Sequence, residues 1–178
     1  MKRLHIIIAT AMLSIAAFAQ PTPTTFLDVQ ITGSKETVAE QLMEAGFTQF
    51  TKLSMYMGQF MGEDVKVLIR WNETVKQVSL LIVETRGRYD APEVIKRFNS
   101  VLSEYEKDSK YTANSSNKKM PAGATLSEEY MSSNNNFQAK FYQDGDKKKL
   151  ITIAVYDIDN KFYIRWDYWN TYNTPNRN

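Results

Sequence analysis

Tyrosine, arginine and tryptophan recur at alternate positions in the segment FYIRWDYWNTYN, residues 162–173. Alternate residues of an extended strand point to the same side, so Tyr163, Arg165 and Trp169 would share one surface. Tyr142 and Tyr156 occupy matching positions in the two preceding strand-like segments. Tyrosine, tryptophan and arginine dominate the energetics of protein interfaces. The pattern therefore predicts a protein- or peptide-binding surface that contains these five residues.

A glycan-binding or envelope-associated structural protein is the alternative, because exposed aromatic rings also stack on sugars. A sugar site would have two or three coplanar rings beside Asp or Asn. A protein site would have a wider apolar patch that includes Leu81 and Val83. The surface would serve neither purpose if the loop of residues 108–124 or the N-terminal leader folded over it.

Catalytic residue patterns are weak in this chain. It contains no cysteine, and its only histidine is His5, so removal of the N-terminal segment would leave no thiol or imidazole for a nucleophile, a general base or an ordinary zinc site. The two Gly-rich phosphate-binding motifs, GxGxxG and GxxxxGK[ST], are both absent from the sequence. A Ser–Lys hydrolase or a carboxylate-pair enzyme is compatible with the composition, but no particular pair is marked. We expect a non-enzymatic protein without a cofactor.

Three segments could bind metal ions, and each has a simpler interpretation. Residues 144–146 and 157–160 are rich in Asp, but neither has EF-hand spacing, and hairpin turns favour the same residue types. Met55, Met57 and Met61 could bind Cu(I) through one strand face, whereas methionine commonly fills irregular gaps in a core. We predict no metal site.

The first 19 residues have the three features of a secretory signal peptide. Residues 2–3 are basic, residues 4–18 are largely apolar, and Ala17-Phe18-Ala19 forms a small-x-small cleavage site. The apolar run is shorter than the roughly 20 residues that a spanning helix needs, which favours cleavage over a retained anchor. We expect an exported protein, periplasmic or extracellular, with an extended leader at residues 20–25 and no transmembrane span after cleavage.

Cleavage would make the chain formally neutral. Loss of Lys2 and Arg3 reduces the 22 basic residues to 20, equal to the 20 acidic residues. A neutral chain has no net field that attracts nucleic acid or an anionic membrane, so we expect no nucleic-acid partner. Residues 26–178 are sufficient for a single domain.

Two segments have helical patterns. Ser34 can cap a helix that extends to Ala45 and stops at Gly46. Asp90, followed by Pro92, can start a second helix. The apolar stripe of this second helix comprises Val94, Ile95, Phe98, Val101, Leu102 and Tyr105.

The remaining pattern is that of strands. Strand-like segments cover residues 27–31, 53–61, 65–72, 78–85, 125–132, 137–143, 150–157 and 162–169, and residues 108–124 are expected to be a polar loop. The order β-α-βββ-α-ββββ predicts an α+β fold, in which two helices pack on one face of an antiparallel sheet. The domain would consist of two helix-plus-strands halves, at about 26–86 and 90–173.

Turn lengths predict the strand registers, because a one-residue slip exchanges the two faces of a strand. A two-residue turn at Asp159-Asn160 pairs Trp166 with Ile153. A three- or five-residue loop that begins at Asp144, with Gly145 in the left-handed conformation, keeps the apolar residues of both strands on the same face.

A four-residue loop at 73–76 gives the register of the N-terminal half. It pairs Trp71 with Val78 and Val67 with Ile82. This pairing leaves Leu68, Leu81 and Val83 on the face that lies opposite to the helices.

Residues 28–47 and 57–84 resemble small secreted proteins of Bacteroidetes-type bacteria. The matching motifs are Gly33-Ser34 with Glu36, Gly46-Phe47, and the segment GQFMG at 58–62. The resemblance implies the fold and an exported location, and no activity. The tandem helix-plus-sheet order is also similar to the β-lactamase-inhibitor protein architecture, in which an exposed sheet face grips a partner protein. None of that family's contact residues can be matched in this sequence.

Overall fold

The computed structural model describes residues 21–50, 55–127, 131 and 137–174. The expected signal peptide at 1–19 lies outside these residues. The predicted α+β class is confirmed: two helices pack on one face of an antiparallel sheet.

The elements follow in chain order. They are β1 Thr25–Phe26, β2 Val29–Gln30, α1 Lys35–Glu44, β3 Thr48–Gln49, β4 Met55–Phe60, β5 Glu63–Asn72, β6 Gln77–Thr85, α2 Ala91–Lys107, β7 Tyr111–Ala113, β8 Ala139–Gln143, β9 Lys149–Ile158 and β10 Lys161–Asn170. β1 and β2 form a separate hairpin, and the other eight strands form one sheet in the order β3-β4-β5-β6-β10-β9-β8-β7. Every neighbouring pair in this sheet is antiparallel. β10 therefore lies at the centre and joins the two halves of the chain.

Both predicted helices are confirmed. The hydroxyl of Ser34 accepts a hydrogen bond from the backbone N–H of Thr37, which caps α1, and Gly46 adopts a φ of 91° after its end. Asp90 occupies the cap position of α2, but its carboxylate pairs with Lys161 instead of capping the helix. All six residues of the predicted α2 stripe are buried.

The core lies between the helices and one face of the sheet. Trp166 and Tyr168 of β10 are 0% and 1% exposed, and they belong to one continuous apolar cluster with Leu42 of α1 and Phe98 of α2. Phe26 of the β1–β2 hairpin packs against the ring of Tyr168 on the same side. We call the opposite side of the sheet, which bears Tyr163, Arg165 and Trp169, the outer face.

The predicted register of β9 and β10 is confirmed. Ile153 pairs with Trp166, and Tyr156 pairs with Tyr163. The two turn residues have φ values of 50° and 58°, which is the left-handed geometry of a two-residue hairpin turn. The aromatic residues of β10 therefore alternate between the core and the outer face.

The loop between β8 and β9 has five residues, so the five-residue alternative is correct and the three-residue one is wrong. Ala139 pairs with Ile153 and Phe141 with Ile151. Gly145 has a φ of 70°, as predicted. Both loop lengths keep the same residues on the core face, because their registers differ by an even number of positions.

The predicted register of β5 and β6 is wrong beyond Trp71. Trp71 pairs with Val78 as expected, but a bulge follows, and Val67 pairs with Val83. A bulge adds one residue to one strand and exchanges its faces. Leu81 and Val83 therefore lie in the core, where both are 0% exposed.

The bulge brings two other residues of β6 to the outer face. Leu80 is the partner of Trp169, and Ile82 is the partner of Asp167. Neighbouring side chains cover both residues, which are 6% and 4% exposed.

The predicted strand at residues 27–31 is replaced by a hairpin. Leu27 and Asp28 form its turn, with φ values of 46° and 67°, and Leu27 is exposed. The leader residue Thr24 is buried, and its hydroxyl donates a hydrogen bond to the backbone oxygen of Trp169 at 2.7 Å. The hairpin thus closes one end of the core.

The segment 108–124 is more ordered than a polar loop. Its β7 pairs with β8 at the sheet edge, and Met120 is buried in the core and exchanges two hydrogen bonds with the side chain of Asn99 on α2. This segment therefore packs along the sheet edge and on the helix side, and it reaches the outer face at Asn114, whose side chain hydrogen-bonds to Tyr142.

The predicted strand at 125–132 is wrong where the structure describes it. Residues 125–127 lie outside any strand, and Met131 is helical. The other residues of this prediction lie outside the described part of the chain.

Candidate functional site

All five predicted site residues lie on the outer face. Tyr163, Arg165 and Trp169 alternate along β10 with the core residues, Tyr156 is the direct partner of Tyr163, and Tyr142 lies on β8. The structure divides them into two groups, because six positions along β10 separate Tyr163 from Trp169, or about 20 Å.

The first group is a cluster of tyrosine and arginine side chains. The rings of Tyr156 and Tyr163 stack with their centroids 5.6 Å apart and their planes 23° apart. The guanidinium carbon of Arg88 lies 4.6 Å from the ring centroid of Tyr163, and that of Arg165 lies 5.4 Å from the ring centroid of Tyr156. Such cation–π contacts are favourable by about 0.5–1 kcal/mol each at exposed sites. We call these four residues the tyrosine–arginine cluster.

Ion pairs hold Arg165 in place. Its Nε and Nη2 atoms donate to the two carboxylate oxygens of Asp167 at 2.7 and 3.1 Å. Its Nη1 atom lies 4.0 Å from Glu84, which also pairs with Lys66 at 2.6 Å. The side chains of Glu84 and Asp167 are only 9% and 11% exposed. This fork geometry fixes the guanidinium plane before any partner arrives.

The protonation states of the cluster are stable near neutral pH. Burial raises the pKa of both tyrosines, and the charge of Glu84 raises that of Tyr163 further. Burial acts to lower the pKa of Arg165, but its hydrogen bond and charge contact with Asp167 outweigh this effect and raise the pKa overall. The cluster therefore presents neutral phenols and a fixed positive charge.

The second group is an apolar row that crosses four strands, β6, β10, β9 and β8. Trp169 pairs with Leu80 on one side and with Leu150 on the other, and Leu150 in turn pairs with Tyr142. The hydroxyl of Tyr142 accepts a hydrogen bond from the Asn114 side chain at 3.0 Å. Asp167, which pairs with Arg165 of the first group, lies between that group and this row.

Sequence reasoning missed two residues of the tyrosine–arginine end. Arg88 comes from the segment that precedes α2, where no strand pattern indicates its direction. Ile158 follows Tyr156 by two positions on the same face of β9 and is 48% exposed. Its alternation with Tyr156 is a signal that could identify it, although the composition of residues 157–160 favours a turn.

The outer face carries excess positive charge. The ion pairs described above balance Lys66 and Arg165. Within the described residues, Arg70, Arg88 and Lys140 have no carboxylate partner within 4 Å. An acidic partner would complement this surface.

The methionine segment does not form the predicted common face. Met55 and Met57 lie on the outer side of β4, whereas Met61 occupies the following turn with a φ of 51° and packs against the core. No group of three or more His, Cys, Asp or Glu residues in the described ranges is arranged to hold a metal ion.

Comparison with known proteins gives no family assignment. No family model matches the chain, and no curated protein or solved structure matches it significantly. Neither α1 nor α2 is long and apolar enough to cross a membrane, and the same is true of any other helix in the described residues.

Proposed function

We propose that this chain is an exported, non-enzymatic binding protein that contacts a protein or peptide partner through the outer face. The observation that carries the proposal is the Tyr156–Tyr163 stack, which lies against two guanidinium groups. Aromatic and arginine side chains are enriched at interface hot spots. Since these side chains already hold one another, binding would immobilise few additional rotamers.

Ile158 supplies the apolar part of the same patch. It is 48% exposed and projects from β9 next to the stacked rings. A hot spot commonly combines an apolar anchor with a polar rim that excludes water. Arg88 and Arg165 supply that rim here, and they would favour acidic side chains in the partner.

Export is supported by the features of residues 1–19. The protein would then meet its partner outside the cytoplasm, in the periplasm, at the cell surface or in the medium.

The glycan-binding alternative has weaker support. A sugar needs a free aromatic face, whereas Tyr156 and Tyr163 contact each other and a guanidinium group. Trp169 is too far away to share a monosaccharide with them.

The apolar patch expected of a protein site also differs from its predicted form, because Leu80 and Ile82 take the place of Leu81 and Val83 on this face.

The experiment is a capture assay with residues 20–178 as bait and envelope and spent-medium fractions as prey. Tyr163→Ala is the test variant. Tyr172→Ala is the matched control, because Tyr172 contacts Lys148 and Asp146 at the β8–β9 loop, away from the cluster. The captured protein is identified by mass spectrometry and then titrated by calorimetry.

We expect wild type and Tyr172→Ala to bind alike, and Tyr163→Ala to bind at least about tenfold more weakly, or about 1.4 kcal/mol. Equal affinity of all three proteins for the captured partner would rule out the cluster as the contact site. If no protein is captured while all variants remain folded, the protein-binding proposal fails and a glycan array becomes the next measurement.

A further inference from the structure

A groove runs along α2 on the helix side of the sheet. It lies between this helix and the turns that connect β1 to β2 and β4 to β5. Two adjoining cavities of about 310 and 340 Å³ form it, and Met61 and Glu104 line both. The core-facing side chains of Ile164, Trp166 and Tyr168 lie beneath it.

The groove follows most of the length of α2. Five of its lining residues on this side recur every three or four positions: Glu93, Arg97, Ser100, Glu104 and the C-cap residue Asp108. Side chains at this spacing occupy one face of a helix. Fifteen positions at 1.5 Å each correspond to about 22 Å, so the groove suits an elongated ligand.

A buried hydrogen-bond donor lies at the floor of the first cavity. Trp166 is 0% exposed, and its indole Nε1 has no hydrogen-bond partner among the described residues. Buried tryptophan N–H groups usually have a partner. Because Trp166 lines the first cavity, an oxygen atom of a water or a ligand that enters there could accept this hydrogen bond.

The second cavity has the composition of an organic-cation site. Its aromatic residues are Phe60, Tyr105, Tyr111 and Tyr168, and its carboxylates are Asp28, Glu104 and Asp108, with Lys110 as its one cationic lining residue. Aromatic faces and carboxylates together attract ammonium groups. The apolar lining favours an organic cation over a hydrated metal ion, because a metal ion would have to be desolvated there.

The first cavity does not share this acidity. Glu63 and Glu93 both pair with Arg97, whose guanidinium also lies 4.4 Å from the ring centroid of Tyr89. Arg97 and Lys96, which both line this cavity, together balance the charges of these two carboxylates. Glu104, Asp28 and Asp108 have no such cationic partner within 4 Å in the described part of the chain.

We propose that this groove binds an elongated organic cation that carries a hydrogen-bond acceptor. The ammonium group lies beside Tyr111 and Glu104, and the acceptor oxygen receives the N–H of Trp166. Glu104 lines both cavities, so a ligand beside it has Trp166 on one side and Tyr111 on the other. An acyl ester of an amino alcohol carries an acceptor and a cation in this order along its chain. This site is separate from the outer face, and either proposal can fail without the other.

The test compares two probes of the same shape. Butyrylcholine carries the quaternary ammonium and an ester carbonyl, and 3,3-dimethylbutyl butyrate is its neutral carbon isostere. The protein is residues 20–178 with Trp71→Phe and Trp169→Phe, so that Trp166 is its only tryptophan. Affinity is measured by calorimetry, and occupancy of the groove by Trp166 fluorescence.

We expect butyrylcholine to bind about tenfold more tightly than the isostere and to change the Trp166 emission. Glu104→Gln should weaken its binding about three- to tenfold. Glu106→Gln makes the same charge change on α2 at a residue outside the groove lining, beside Lys119, and should leave the affinity unchanged.

Three results would overturn the proposal. They are equal affinity for the two probes, equal effects of the two variants, and binding that leaves the Trp166 emission unchanged. Absence of binding up to about 10 mM would also overturn it, since this concentration corresponds to a binding free energy of only about −2.7 kcal/mol.

Discussion

Tyr156 stacks on Tyr163 across the β9–β10 pair, and the two residues are also direct partners in the strand register. A two-residue turn at Asp159-Asn160 fixes this register. The proposed anchor is therefore built by one local hairpin, and its geometry does not depend on a long loop. The energy of the contact between the two rings can therefore be measured with mutations in this hairpin alone.

The two rings should be energetically coupled. Tyr156→Ala and Tyr163→Ala, made singly and together, should give a coupling of about 0.5–1.5 kcal/mol in the free energy of unfolding, as expected for stacked aromatic pairs. Urea denaturation measures it. As a control, Tyr142→Ala combined with Tyr163→Ala should be additive within about 0.5 kcal/mol. Additivity of the first pair would show that the rings do not interact in solution.

The two tryptophans of β10 should differ in their contribution to stability. Trp166 is 0% exposed and in contact with Phe60, so Trp166→Ala should reduce the free energy of unfolding by about 3–5 kcal/mol. Trp169→Ala removes a half-buried side chain from the outer face and should reduce it less. Chemical denaturation gives both values. A larger loss for Trp169→Ala would contradict the assignment of the two faces.

Outer-face charge should govern the rate of partner association. Arg70→Glu with Lys140→Glu replaces two cations that have no carboxylate partner in the described residues, so the association rate should fall about tenfold at low salt. The difference should shrink at about 0.5 M salt, where charges are screened. Stopped-flow kinetics with the captured partner measures both rates. Lys107→Glu with Lys118→Glu makes the same change of net charge in α2 and the segment that follows it, and it should have little effect; an equal effect would point to net charge alone.

Alkaline pH should destabilise the fold. Burial raises the pKa of Tyr111 to about 12, and it raises the pKa of Tyr105 and Tyr168 well above the usual value of 10. The unfolded chain therefore releases these protons at lower pH than the folded chain, so stability is complete below pH 10 and falls as pH rises towards 12. Thermal melting between about pH 8 and pH 11.5 measures the decline.

The buried hydroxyl pair provides the control for this pH dependence. Tyr105 and Tyr168 hydrogen-bond to each other through their hydroxyl groups. The double variant Tyr105→Phe, Tyr168→Phe removes both titrating groups together, and its melting temperature should fall less steeply over the same pH interval. A slope identical to that of wild type would assign the alkaline loss to other groups.

Gly58 should not tolerate a side chain. A Cβ atom at this position of β4 would lie 2.5 Å from the ring of Phe47, which is 4% exposed and cannot move freely. Gly58→Ala should therefore lower the free energy of unfolding by about 1–3 kcal/mol. The compensating variant Phe47→Leu should recover part of the loss in the double mutant, as measured by urea denaturation. No recovery would mean that the loss arises from the backbone instead.

The sequence predicts a register correctly where two constraints coincide. In β9 and β10, these constraints are the alternation of apolar residues and the two-residue turn. Both give the same register, in which Ile153 pairs with Trp166. In β6, the run VSLLIV is apolar at almost every position, so alternation cannot distinguish the two registers. This pattern cannot reveal the bulge between Arg70 and Trp71, so it predicts the wrong face for Leu81 and Val83.

The part of the candidate site that lies on paired strands can be predicted from the sequence, and the part that comes from connecting segments cannot. Tyr156 and Tyr163 meet because their strands are in register, and strand patterns report register. Arg88 reaches the cluster from a connecting segment, whose direction depends on tertiary packing rather than on periodicity. The groove along α2 depends on how closely the helix approaches the β4–β5 turn, and side-chain spacing carries no information on that distance.

β10 comes last among the strands in sequence but lies between β6 and β9 in space. Until residues 161–170 are available, those two strands each keep an unpaired edge, and the halves of the sheet have no hydrogen bonds to each other. A chain that crosses a membrane with its N-terminus first would therefore remain unable to complete the sheet until nearly all of it had passed. β4, β5 and β6 can pair with one another earlier, but the two halves of the sheet can join only after the last strand is present.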